Sequence, residues 1–167
     1  MRQGLAVLAL VVCSALPAAG EDAKYRSKDG KFDVRFPAGA KVRTDSRKGD
    51  GVEMHAVIAD DGPTRRLTVT YTDVPAVKDE RTKEFFDQIE KSAVRKAGGQ
   101  VASSADVEFG AMKHPGREFV VDKGGDKAKV LLVLVGTRLY SVSAAGPKEF
   151  ARSKDADAFF ASFEITK

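Results

Sequence analysis

Apolar and polar positions in this chain alternate mostly in short runs, broken by two stretches of helical spacing. Phe32-Asp33-Val34-Arg35-Phe36 alternates apolar and charged residues, which predicts a half-buried strand because successive strand side chains point to opposite faces. Pro37-Ala38-Gly39 stops it. The stretch from Lys24 to Lys31 reads as a polar lead-in, and residues 40–51 as a weak strand followed by a charged, glycine-containing loop. Val52, Met54, Ala56 and Ile58 share one face of the next strand, which leaves His55 on its polar face between Glu53 and Val57. Asp60-Asp61-Gly62-Pro63 has the residues of a turn. Leu67, Val69 and Tyr71 then face inward, with Thr68, Thr70 and Thr72 opposite. These two strands are expected to form an antiparallel hairpin.

The period changes at Glu80. Phe85, Phe86, Ile89, Ala93 and Ala97 recur at helical spacing, with acidic residues early and Lys91, Arg95 and Lys96 late, which suits the helix dipole. Gly98-Gly99 is the expected stop. Strands resume with a weakly patterned Val101 to Phe109, and His114-Pro115-Gly116 is expected to turn into Arg117 to Val121. Gly124-Gly125-Asp126 reads as a hairpin connector. Val130 to Val135 is apolar throughout, the mark of a central strand covered on both faces. Leu139 to Ser143 follows Gly136-Thr137-Arg138, and Gly146-Pro147 ends that run. Ser153 is placed to cap a last helix whose apolar face holds Ala156, Phe159, Phe160 and Phe163. The fold class expected is α+β: a mostly antiparallel sheet with helices packed on it, and the doubly covered strand points to three layers.

The amino terminus adds a location. Arg2, the apolar run Leu5 to Val12, the small residues Pro17-Ala18-Ala19-Gly20 and the polar Glu21-Asp22 have the order of a secretory signal peptide. Residues 1–20 are read as that signal and 21–167 as a single exported domain, periplasmic or secreted. The apolar run is short against the roughly 20 residues that cross a bilayer. The single cysteine, Cys13, lies inside the segment. Cleavage before Cys13 would make a lipoprotein, but Val12 stands where a lipoprotein signal has a small residue; otherwise no stable membrane anchor is expected. Loss of the segment leaves no thiol for disulfides, nucleophilic catalysis or metal binding.

The formal charge is +4, with both signs interspersed, as in Lys78-Asp79-Glu80-Arg81. Mixed signs suit a solvated surface rather than a nucleic-acid footprint. Catalytic chemistry is hard to assemble. The two histidines, His55 and His114, have no nucleophile elbow near them, since no serine stands in a Gly-x-Ser-x-Gly setting. A hydrolase using His114 would require that residue in a cleft beside a serine or carboxylate. Asp45 to Glu53 superficially resembles a calcium loop, yet Arg47 stands where an oxygen ligand is needed. No catalytic residue, metal site or cofactor is assigned. Arg65-Arg66 opens a strand, where charge on an edge blocks mispairing; the alternative is an anion site. His55, Arg65, Arg66, His114 and Arg117 are the candidates for a binding surface. Phe85-Phe86 and Phe159-Phe160 either anchor helices to the sheet or line a cavity for a small apolar ligand.

Lys31-Phe32-Asp33-Val34-Arg35-Phe36-Pro37 resembles the opening strand, F-x-V-x-F-P, of PsbP-like and Mog1-like proteins. The helix after Tyr71-Thr72-Asp73 and the segment Ala158-Phe159-Phe160-Ala161-Ser162-Phe163 are similar too, the latter to the A-x-x-F-x-x-S-F ending of uncharacterised secreted bacterial members. The resemblance implies an α/β/α sandwich. It also implies a binding or accessory role, as in photosystem II extrinsic subunits, a Ran-GTPase-binding factor and envelope lipoproteins. The function expected is that of a non-enzymatic domain serving an envelope or extracellular partner, with carriage of a small apolar ligand as the alternative.

Overall fold

The computed structural model describes residues 22–49 and 51–167. The expected signal segment and Cys13 lie outside the described residues. The chain builds β1 (Ala23–Ser27), β2 (Phe32–Phe36), β3 (Lys41–Gly49), β4 (Val52–Asp60), β5 (Arg66–Asp73) and α1 (Thr82–Ala97). It continues with β6 (Gln100–Phe109), β7 (His114–Lys123), β8 (Asp126–Val135), β9 (Arg138–Pro147), α2 (Lys154–Ser162) and β10 (Glu164–Ile165). Seven strands form one antiparallel sheet in the order β3-β4-β5-β9-β8-β7-β6, and β1-β2-β10 form a second, smaller one. The fold is therefore α+β, as expected, but with two sheets instead of one.

Apolar side chains decide the layering. On one face of the large sheet, Val57, Leu67, Val69, Leu131, Val133 and Val142 pack against Phe32, Val34 and Phe36 of β2 and against Phe159 and Phe163 at α2. On the other face, Phe119, Val121, Leu132 and Leu134 pack under Phe86 of α1. Leu131 to Leu134 are thus all buried, and β8 serves both cores. This bears out its reading as a strand covered on both sides.

Helix ends follow local chemistry. Gly98 adopts φ 66° and its N–H donates to the Arg95 carbonyl, a left-handed stop that glycine accepts without strain. The Ser153 hydroxyl accepts from the Ala156 N–H at 3.2 Å, capping α2.

Four local expectations need correction. The lead-in at Lys24 to Lys31 contains β1, whose five residues pair along β2 with Tyr25 and Ser27 turned inward. Residues 41–49 are strand throughout; β3 is an edge with little burial, so no apolar pattern marks it. In β4 the core face is Val57 and Ala59, while Val52 and Met54 are exposed. His55 accordingly lies on the inward face, not the polar one. His114-Pro115-Gly116 is not a turn: it opens β7, and the reversal sits at residues 110–113, where Lys113 donates its N–H to the Gly110 carbonyl.

Candidate functional site

The β4–β5–β9 register sets His55, Tyr71 and Tyr140 in one row on the face covered by the small sheet. The turn after β1 closes over that row. Tyr140 donates its hydroxyl to the Gly30 carbonyl at 2.8 Å, and Gly30 donates its N–H to the Ser27 hydroxyl at 3.0 Å. Arg138, at the start of β9, donates through Nε and Nη2 to Asp73 at 2.8 and 2.9 Å. Its Nη1 reaches the Asp29 carbonyl at 2.7 Å. The guanidinium also lies over the Tyr71 ring, 5.3 Å from its centroid. This one side chain ties the large sheet to the turn of the small one.

His55 stacks on Tyr71 with ring centroids 4.8 Å apart and planes within 18°. Its Nε2 is 3.7 Å from Glu53 Oε1, and the Ser46 hydroxyl donates to that same oxygen. Two open cavities meet at the stacked pair. One, of about 340 Å³, lies between the β1 turn and the β3–β4 hairpin, with Tyr25, Ser27, Thr44 and Ser46 among its walls. The other, of about 430 Å³, is bounded by Asp29, Glu53, Asp73 and Arg138. Burial pushes the Tyr71 and Tyr140 phenols above their ordinary value, so both stay neutral hydrogen-bonding groups. The hydrogen bonds from Arg138 hold the Asp73 carboxyl below the usual carboxylate range, so this pair stays charged. Such a floor is equipped to stack and to exchange hydrogen bonds. Among the described residues no cluster of three or more His, Cys, Asp or Glu could hold a metal ion.

The other candidates lie elsewhere. Arg117 is buried, donating through Nε to Asp106 of β6 at 2.7 Å and through Nη1 to Asp87 and Glu90 of α1 at 2.8 and 3.1 Å. It clamps α1 to the sheet. His114 sits half-buried opposite Phe109, with no hydrogen bond or ion pair to a serine or carboxylate among the described residues. Arg65 and Arg66 stand at the start of β5, a strand between β4 and β9, so they do not protect an edge. They bond Asp61 and Asp60 instead. Phe86 and Phe159 fill the two cores, with Phe85 and Phe160 packed beside them. The structure does not gather the five candidates into one site.

Tyr71, Asp73 and Arg138 were not singled out from the sequence. A usable signal existed: pairing outward from the Asp60 to Pro63 turn sets Tyr71 across from His55. Arg138 gave none, because its partners come from β5 and from the turn after β1.

No protein-family model matches the chain, and no curated protein matches it. The solution structure of cyanobacterial PsbP from Synechocystis sp. PCC 6803 matches with a TM-score of 0.63 and 13% identity, over 92% of this chain and 96% of that one. The fold is therefore PsbP-like. A crystal structure from Bacteroides thetaiotaomicron matches with a TM-score of 0.42 and 14% identity, over 86% of this chain and 48% of that one, too low to establish a common fold. No helix of the described residues is long and apolar enough to cross a membrane.

Proposed function

We propose that this chain is an exported, non-enzymatic domain that binds an envelope or extracellular partner at the groove floored by His55 and Tyr71. Export rests on the order of residues 1–22. The observation that carries the site is the stacked imidazole and phenol where two open cavities meet. Around it, the charged groups are largely engaged with one another: Arg138 with Asp73, and Glu53 with Ser46 and His55. A partner is therefore met by ring faces and hydroxyls, with the exposed Lys28 and Asp29 of the turn after β1 on the rim. A small apolar ligand finds less support, since Phe86 and Phe159 occupy the space between sheet and helices.

The test is positional. A photo-crosslinking residue at Ser46 should capture one envelope component reproducibly, and the same residue at Glu108 on the opposite edge strand should not. His55→Ala should weaken capture several-fold without changing the melting temperature by more than about 2 °C, a small shift for a domain of this size. Equal capture from both positions, or capture indifferent to His55→Ala, would rule the groove out.

A further inference from the structure

The two strands that end the large sheet, β3 and β6, differ in chemistry. β3 carries Lys41, Arg43, Asp45, Arg47 and Lys48 within nine residues, the kind of charge that keeps an edge from pairing with another chain. β6 carries none from Gln100 to Ala105; its only charged residues are Asp106 and Glu108. Every residue from Gln100 to Asp106 is exposed, although α1 lies beside the strand. A register shift between Val101 and Ser103 interrupts the start of β6, and from Ser103 to Phe109 it pairs regularly with β7. The outer side of that regular stretch faces no strand among the described residues.

α1 lies over this edge and runs opposite to β6. Glu90 accepts the Ser104 hydroxyl hydrogen bond at 2.6 Å. Asp87, earlier in the helix, takes a bond from Arg117, which also holds Asp106, later in the strand. The helix therefore sits above the boundary of β6 and β7. Charge is graded along it: Glu84 and Asp87 come before Lys91, Arg95 and Lys96.

We propose that β6 pairs antiparallel with β6 of a second copy of this chain, about a two-fold axis at Ala105, joining the two seven-stranded sheets into one. That register sets Ala105 against its own copy, Ser104 against Asp106 and Ser103 against Val107. Facing residues then share a side of the sheet, Ser104 and Asp106 toward α1 and the others away from it, as antiparallel pairing demands. No acid meets an acid, and the residue at the axis is small. With strands about 4.8 Å apart, the two α1 helices come to lie roughly 10 Å apart, a distance at which side chains touch. They run antiparallel, so the acidic half of each lies along the basic half of the other. That self-complementarity favours a second copy over an unrelated strand. The seam lies at the far edge of the sheet from the β3–β4 hairpin, so the His55 groove stays open in the dimer.

Sedimentation equilibrium of the chain should give twice the mass of one copy, with association weakened by added salt. Ala105→Lys places two ammonium groups together at the axis and should raise the dissociation constant about tenfold or more. Lys91→Glu should raise it several-fold. Both alter exposed side chains, so the melting of dilute samples should stay unchanged. Thr44→Lys, on β3, should leave the dimer intact. A photo-crosslinking residue at Ala105 should join two copies. A single-copy mass in the most concentrated samples, or a dimer indifferent to Ala105→Lys, would overturn the proposal. So would crosslinking from Ala105 to a different protein alone, which would identify a foreign strand as the occupant of this edge.

Discussion

Asp33 shows how one polar residue is held on a strand otherwise committed to the core. It is flanked by Phe32 and Val34, both fully buried, yet it points to the outer side of the small sheet. There Arg26 donates to both of its oxygens at 2.9 and 2.8 Å, and Lys24 reaches it at 2.9 Å. These hydrogen bonds, Arg26 first and Lys24 second, hold the Asp33 carboxyl well below the usual carboxylate range. A carboxyl depressed in the folded state adds stability above its unfolded value, roughly 4, and loses it as pH falls toward the folded value. Asp33→Asn should therefore lower the urea midpoint at pH 7. Below about pH 4 the wild type should lose that advantage, so the two curves converge. Parallel curves from pH 7 to pH 2 would show that the pairing contributes nothing. The alternation of residues 32–36 made the strand legible; the closure of both cations over Asp33 was not, because β1 itself carries too few apolar residues to announce a strand.

Among the elements, α1 was the most legible. Its period, charge polarity and glycine stop were all local, and all three hold. What fastens it was not legible, because Arg117, Asp106, Asp87 and Glu90 come from three separate elements. Arg117→Met removes a cation that is 6% exposed and leaves Glu90, itself 13% exposed, with the Ser104 hydroxyl but no cation. Breaking such a pair from one side costs about 3 kcal/mol. The urea midpoint should fall by that equivalent, and amide exchange should quicken through α1 before it does in β8. Uniform quickening in both would deny Arg117 its role as the clamp. The β4 face was misread for a different reason. Val52, Met54, Ala56 and Ile58 form one apolar set and Val57 and Ala59 another, and only packing against β2 selects between them. That choice carries His55 to the inward side. Gly116 was misread because Pro-Gly is turn chemistry; here a Cβ would stand 2.6 Å from the Leu132 carbonyl, so glycine serves close strand contact instead.

At the scale of the whole molecule, two cores share one strand. Leu131 and Val133 belong to the side of the small sheet, Leu132 and Leu134 to the side of α1. Neither layer can leave without exposing β8, so the domain should unfold as one unit. Leu132→Ala should cost about 3 kcal/mol through the lost burial and the cavity left behind. Near- and far-ultraviolet circular dichroism should still report the same midpoint. Separate midpoints would mean that the layers unfold independently. The layered class was legible from the order of elements and from the apolar run at β8. The second sheet was not, because β1 and the two-residue β10 acquire their structure only by pairing with β2. That arrangement has a mechanical consequence. β1 begins beside Phe36, and β10 ends beside Phe32, with β2 between them and antiparallel to both. A tether upstream of Ala23 and a load downstream of Ile165 would pull the outer strands in opposite directions along β2. Their hydrogen bonds would be strained in shear, together, instead of opening one after another like a zip.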